Sequence, residues 1–343
     1  MPNIELHPKH ELSTFRRIAI GTWTTVGDPS VYGSMDIEMD AAMDYIARYR
    51  KATGKRLTVS HLVAKAIAGA LERMPDANAI MRWNRPHRRK TIGVFFQVAM
   101  PGEEGQETDL SGATLYDVEK KSVDQLVDEF AEKVNMVRER KDPALEKTRS
   151  TFKIIPLLII NKVLKLIGFF SYTLNLDLRW AGIPSDPFGS IMVTNVGSLG
   201  LDTAYVPLVP YSHVPMLLAL GAVKKTPVVD DDGQIVVRQM MGIHATFDHR
   251  IIDGFHAAVM SKVLREYFAN PDEKFGAIPE SKVEPAVEAE PAEVSEAGDA
   301  EEAVEPPKAD EGGDTKPEPA VEAQPEPEPE PAAKADAALS SGD

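Results

Sequence analysis

A histidine, an arginine, an aspartate and a glycine fall close together in Phe247-Asp248-His249-Arg250-Ile251-Ile252-Asp253-Gly254. Histidine is the side chain whose ordinary pKa lets it take and return a proton near neutrality, so His249 is a candidate general base. Asp253, four residues on, is placed to fix the loop or to anchor it to a cation. Gly254 lets the backbone turn sharply into a helix without a Cβ clash. A plainer reading fits the same residues: a histidine in a surface turn and an aspartate capping a helix. His-x-x-x-Asp-Gly alone does not choose between them. Upstream, the strand-like Ile191-Met192-Val193-Thr194 breaks into the glycine-punctuated turn Asn195-Val196-Gly197-Ser198-Leu199-Gly200. Thr194 ends that strand with a hydroxyl, either aimed at a developing oxyanion or bonded to backbone.

The elements that must position these groups are legible from periodicity. Residues 34–40 alternate apolar with polar, as a half-buried strand does, and residues 41–52 then take helical spacing up to Gly54. Residues 58–73 read as a stronger helix, with Ser60 as N-cap and Pro75 as stop. Residues 91–100 are β-branched and aromatic, as expected of a buried strand. An amphipathic helix over 122–140 follows. Residues 228–237 signal a strand, a turn at Asp232-Gly233, and a second strand that leads into the His249 turn. A helix over 255–268 closes the series before Asn270-Pro271.

Between them, residues 152–180 are dense in Ile, Leu and Phe, yet no uncharged run reaches the roughly 18 residues of a membrane span. Asn161, Lys165 and Gly168 fall at helical spacing as a narrow polar stripe on an apolar cylinder. Three readings fit: a helix packed on its own domain or a subunit interface, a membrane-surface helix, or the lining of an acyl-chain pocket.

Essentially all of the net charge of −15 lies beyond Glu280, in a Glu-, Pro- and Ala-rich segment with no aromatic residue. Residues 281–343 cannot bury enough apolar area to offset the entropy of ordering and read as a disordered, self-repelling tail. The preceding 1–280 are near neutral and read as one domain. The absence of cysteine excludes disulfides, thiolate metal sites and a cysteine nucleophile, and fits a cytoplasmic protein. The first residues have neither the basic nor the apolar stretch of a secretory signal. A near-neutral folded part argues against a nucleic-acid partner. The one basic cluster, Arg82, Arg85, Arg88, Arg89 and Lys90, reads as a solvated loop. His244, His249 and His256 lack the supporting groups of a metal site, and none is expected.

Taken in order, these pieces resemble the catalytic domain of dihydrolipoyl acyltransferases, the core subunits of 2-oxoacid dehydrogenase complexes and relatives of chloramphenicol acetyltransferase. Asp248-His249-Arg250-Ile251-Ile252-Asp253-Gly254 looks like the active-site signature, and Met192 to Gly200 resembles the second one. The Arg16-Arg17 pair, Pro75-Asp76-Ala77-Asn78, Lys120-Lys121-Ser122 and the Asp232-Gly233 hairpin fall in the same order. The resemblance implies an α+β two-layer sandwich, assembled as a homotrimer or larger homo-oligomer, with a channel between subunits. It implies that coenzyme A enters from one end and a dihydrolipoyl thiol from the other. His249 would be the general base, Thr194 the oxyanion donor from the adjacent subunit, and Asp253 the holder of the loop through Arg16 or Arg17. Arg250, Gly254 and Asn195 would support the loops.

Three departures qualify that expectation. No lipoyl hairpin is visible, and Lys65 lies on a helix, so a lipoyl group would come in trans from another protein. The insert at 148–189 is longer and more apolar than the usual link. The acidic tail runs past the usual end of the core. A second reading therefore stands beside the enzyme: a non-catalytic scaffold that keeps the trimeric fold and recruits partners, or a membrane surface, through 152–180.

Overall fold

A computed structural model of the chain describes residues 2–8, 29–100, 109–138 and 157–279. Arg16, Arg17 and the acidic segment 281–343 lie outside the described residues.

The strands are β1 (Leu6–Pro8), β2 (Ser30–Glu38), β3 (Ala79–Arg82), β4 (Arg85–Arg89), β5 (Val94–Met100), β6 (Asp109–Leu115), β7 (Ile191–Asn195), β8 (Met216–Leu220), β9 (Lys224–Val229) and β10 (Ile235–Asp248). The helices are α1 (Asp40–Thr53), α2 (Val59–Arg73), α3 (Val123–Arg138), α4 (Leu157–Gly168), α5 (Gly254–Ala269) and α6 (Pro271–Phe275). Seven strands form one mixed sheet in the order β2-β10-β8-β7-β5-β6, with β9 paired to β10. A second sheet has the order β1-β4-β3.

β8 is buried along its whole length, which its unbroken Met-Leu-Leu-Ala-Leu run requires. Met216, Leu218 and Leu220 face the main core with Tyr45, Leu62 and Phe268 from the helices. Leu217 points the other way, onto Leu208 and Val214. The sheet therefore has a helix-covered face and an opposite face, and alternation along each strand sorts residues between them.

Gly54 closes α1 with φ of 69°, a conformation glycine adopts without strain. The N-cap of α2 is Thr58 rather than Ser60, and His61 rather than an acid completes the capping box. Lys65 points off α2 and donates to the carbonyls of Val118, Glu119 and Lys121 at 3.1, 2.9 and 2.6 Å. Its burial lowers its pKa.

The insert is helical over only part of the expected range. α4 runs into a π-helical turn at Phe169–Thr173, and the chain then proceeds through short turns to β7. Asn175 fastens it to the N-terminal strand region: its side chain accepts from Ile4 N and donates to Ile4 O, both at 2.6 Å. Of the expected polar stripe, Asn161 and Lys165 are exposed, whereas Gly168 faces inward. A Cβ at Gly168 would meet His213 Nε2 at 3.2 Å. No helix among the described residues is long and apolar enough to cross a membrane.

The basic cluster is largely built into the fold. Arg88 pairs with Asp76, Arg89 with Asp186 and Lys90 with Glu5. Arg82 donates to Thr173 O at 2.6 Å.

Candidate active site

His249 leaves the end of β10, and its N–H donates to Pro29 O at 2.9 Å, extending the β2–β10 ladder by one step. The next residues form a tight turn held from within. Asp248 O accepts from the N–H groups of Ile251 and Ile252, each at 2.9 Å. The Asp248 carboxylate accepts from Arg250 N at 3.0 Å, from Arg250 Nε at 2.9 Å and from Nη2 at 2.7 Å. This pair is buried, with side-chain exposure of 9% for Arg250 and 2% for Asp248. A buried, doubly bonded ion pair two residues apart leaves the backbone between its members little freedom. The residue between them is His249.

The imidazole is oriented as well. His249 Nδ1 lies 3.0 Å from Ile252 O. A carbonyl can only accept, so Nδ1 carries the proton and Nε2 is the basic nitrogen of the neutral ring. The expected base thus sits in a defined tautomer on a braced turn.

Asp253 takes the capping role. It is the N-cap of α5, accepting from Phe255 N at 3.1 Å and His256 N at 3.2 Å. His256 Nδ1 lies 2.5 Å from the same oxygen, and the Asp253 N–H directed at Nδ1, at 3.5 Å, completes a capping box. Any link from Asp253 to Arg16 or Arg17 lies outside the described residues. Gly254 opens the helix. His244 is a core histidine, with Nε2 3.0 Å from Asp202 O. No group of His, Asp or Glu among the described residues is arranged to hold a metal ion.

The strand runs one residue further than expected: Thr194 is the penultimate residue of β7, and Asn195, which ends it, secures the following turn by accepting from Ser198 N at 3.1 Å. Register then fixes how far Thr194 lies from His249. Thr194 pairs with Ala219 on β8, and Ala219 pairs with His244 on β10. His249 lies five residues beyond His244, roughly 17 Å along the strand and two strand spacings across, which puts the two about 20 Å apart in one copy. One chain does not bring His249 and Thr194 together.

Two contributors carried no signal that could be read in advance. Asp248 was visible beside His249, but its carboxylate could not be assigned to Arg250 without the turn geometry. The carbonyl of Ile252 is invisible to any side-chain pattern.

The family model described as the 2-oxoacid dehydrogenases acyltransferase (catalytic domain) matches residues 9–161 and 188–275. The chain is 26% identical over 251 residues to the dihydrolipoyllysine-residue acetyltransferase component of the pyruvate dehydrogenase complex of Rhizobium meliloti (strain 1021), covering 71% of this chain and 45% of that protein. A lipoamide acyltransferase component of the branched-chain alpha-keto acid dehydrogenase complex of Pseudomonas putida is 37% identical over 82 residues, 24% of this chain and 19% of that one. The chain spans less than half the length of these curated relatives. Among solved structures, dihydrolipoamide acetyltransferase of Azotobacter vinelandii matches with a TM-score of 0.53 at 22% identity, covering 78% of this chain and 93% of that one. A probable dihydrolipoamide acetyltransferase of Listeria monocytogenes 4b F2365 matches with a TM-score of 0.51 at 17% identity, covering 81% and 97%. At these identities the likeness is one of fold, and it agrees with the expected α+β two-layer sandwich. With the family model matched over residues 9–161 and 188–275, the chain belongs to the 2-oxoacid dehydrogenase acyltransferase (catalytic domain) family.

Proposed function

We propose that the protein moves an acyl group between coenzyme A and a thiol such as dihydrolipoamide, in an active site shared by two copies of the chain. The observation that carries this reading is the His249 ring, whose Nδ1 is engaged by Ile252 O so that Nε2 is the proton acceptor. A thiol with a pKa near 8.5 is mostly protonated at neutrality and needs such a base. Nε2 takes the S–H proton as sulfur attacks the thioester carbonyl carbon. The carbonyl oxygen becomes an oxyanion and accepts from the Thr194 hydroxyl of the neighbouring copy. Collapse of the tetrahedral intermediate breaks the original C–S bond, and the departing thiolate regains its proton from the imidazolium. The ~20 Å gap within one chain supports a shared site and a homotrimer or larger assembly. Lys65 is held against three carbonyls and is not placed to carry a lipoyl group; in this reading the lipoyl group arrives in trans. A cytoplasmic setting belongs with this reading.

The test measures coenzyme A release from acetyl-CoA with free dihydrolipoamide. His249→Ala should lose about a hundredfold or more of the rate. Co-assembling His249→Ala with Thr194→Ala copies should restore about a quarter of the seams and a matching share of activity. Turnover that survives His249→Ala sinks the proposal, and co-assembly that restores nothing sinks the shared site.

A second reading, a partner- or membrane-binding scaffold, is favoured by one surface. Ile159, Leu166, Phe169 and Phe170 are exposed along α4 and the turn after it, and Trp83 packs edge-on to Phe169 at 6.2 Å. Exposed apolar surface of this kind marks an interaction site. Substituting Leu166 and Phe169 by Ser should change assembly size or vesicle binding and leave acyl transfer intact. Unchanged light scattering and vesicle sedimentation would remove this reading.

A further inference from the structure

On the sheet face that carries Thr194 lies a cavity of about 440 Å³. Its apolar lining includes Phe95, Met136, Val137, Pro187, Phe188 and Met192. Met192 is two residues before Thr194 on β7, so alternation puts both on one face, roughly 7 Å apart. The cavity therefore begins one side chain away from the proposed oxyanion donor.

Part of its wall lies outside the stretches that the family model matches. Pro184 and Pro187 belong to residues 162–187, which the family model leaves unmatched. That wall is pinned in several ways. Tyr116 Oη donates to Asp186 O at 3.0 Å, Thr114 Oγ1 donates to Pro187 O, and the Arg89 side chain holds the Asp186 carboxylate with Nε at 3.1 Å and Nη2 at 3.2 Å. Gly189, at φ of +61°, crosses Gly93 so closely that a Cβ on it would lie 2.7 Å from the Gly93 carbonyl. On another side, a Cβ at Gly112 would lie 1.9 Å from the Phe95 ring, so the missing side chain is what lets Phe95 lie where it does. Phe188 packs on Phe95 with centroids 5.2 Å apart. A cavity braced on this scale is preformed, as small-molecule sites are.

We propose that this cavity holds the apolar chain of the transferred acyl group, and that the insert gives the protein a preference for acyl groups of several carbons over acetyl. The assignment rests on the acyl-transfer reading. The two thiols enter and leave, but the acyl chain is bonded to the carbonyl carbon throughout. Its first carbons therefore stay beside Thr194, within reach of Met192. Hydrophobic walls contributed by Phe95, Phe188 and Met136 suit a linear, branched or aromatic chain, and a two-carbon acetyl group leaves them unused.

The test compares kcat/KM for hexanoyl-CoA and acetyl-CoA. The wild type should favour hexanoyl by roughly tenfold or more, since even one methylene in a fitted pocket is worth about that. Met136→Trp should lower the hexanoyl value at least tenfold and leave acetyl within about twofold. Met136→Ala, which enlarges the site with little risk to folding, should shift the preference to longer chains. Equal effects on both donors, or none, would overturn the assignment. A second readout needs no turnover: S-hexyl-N-acetylcysteamine should shift the methyl NMR signals of Met136 and Met192, and S-ethyl-N-acetylcysteamine should not. If those signals move but no acyl-CoA is turned over, the cavity stands and the acyl-transfer reading fails. If turnover is normal and they do not move, the cavity assignment fails alone.

Discussion

Replacing Arg250 by Met strips the guanidinium from a carboxylate that is only 2% exposed. Asp248 keeps the bond from Arg250 N but loses those from Nε and Nη2, at 2.9 and 2.7 Å. Hydrogen bonds to charged groups contribute about 1.5–3 kcal/mol each, which sums to roughly 3–6 kcal/mol. Breaking a buried ion pair by removing one partner independently costs about 3–5 kcal/mol, because a charge is left uncompensated. The expected loss is therefore about 3–5 kcal/mol in urea unfolding followed at fixed protein concentration. Asp248→Asn with Arg250→Met removes both charges and should recover a large part of it, giving a favourable coupling energy of about 1 kcal/mol or more. In the proposed reaction Arg250 would act through the turn that carries His249. Arg250→Met should accordingly lower kcat more than it raises KM, and Arg250→Lys, which cannot make the two-pronged contact, should rescue only partly. A single-variant cost below about 1 kcal/mol, or additive effects in the cycle, would refute the view that this pair holds the turn.

Stability should also report two buried histidines. Burial pushes both His61 and His213 down to about 4 from the ordinary 6.5. As pH falls from about 6.5 to 4 the unfolded chain takes up protons that these folded rings refuse, so the unfolded state binds more protons and stability declines. Above that window the two contribute no slope. Unfolding at pH 4.5 and 7.0 should differ by a few kcal/mol more in the wild type than in His61→Gln/His213→Gln, and equal differences would refute the assignment. Gln at position 61 retains a capping-box side chain for α2. For Asp253, Ala should cost about 1 kcal/mol of stability and Ser only a few tenths, because Ser still caps α5. If Ser destabilises as much as Ala, the cap is not what Asp253 contributes to stability.

Local pattern alone determined much of this protein. The amphipathic spacing of α1, α2, α3 and α5 and the unbroken apolar run of β8 follow from burial periodicity, which any chain folding in water must obey. His249 and Thr194 stood out because a histidine and a hydroxyl appear in a family's order close to strand ends. Tertiary structure decided what local pattern could not encode. The brace between Asp248 and Arg250, the carbonyl of Ile252 that fixes the imidazole tautomer, and the capping role of Asp253 all depend on one turn's backbone geometry. The split of the insert into a fastened inner side and an exposed apolar outer side required the Asn3–Asn175 backbone contact and the Asn175–Ile4 bonds, made across more than 170 residues of sequence. The separation of Thr194 from His249 is a matter of strand register across three strands of one sheet. Periodicity reports which way a residue faces, and only strand pairing reports how far along the sheet it lies.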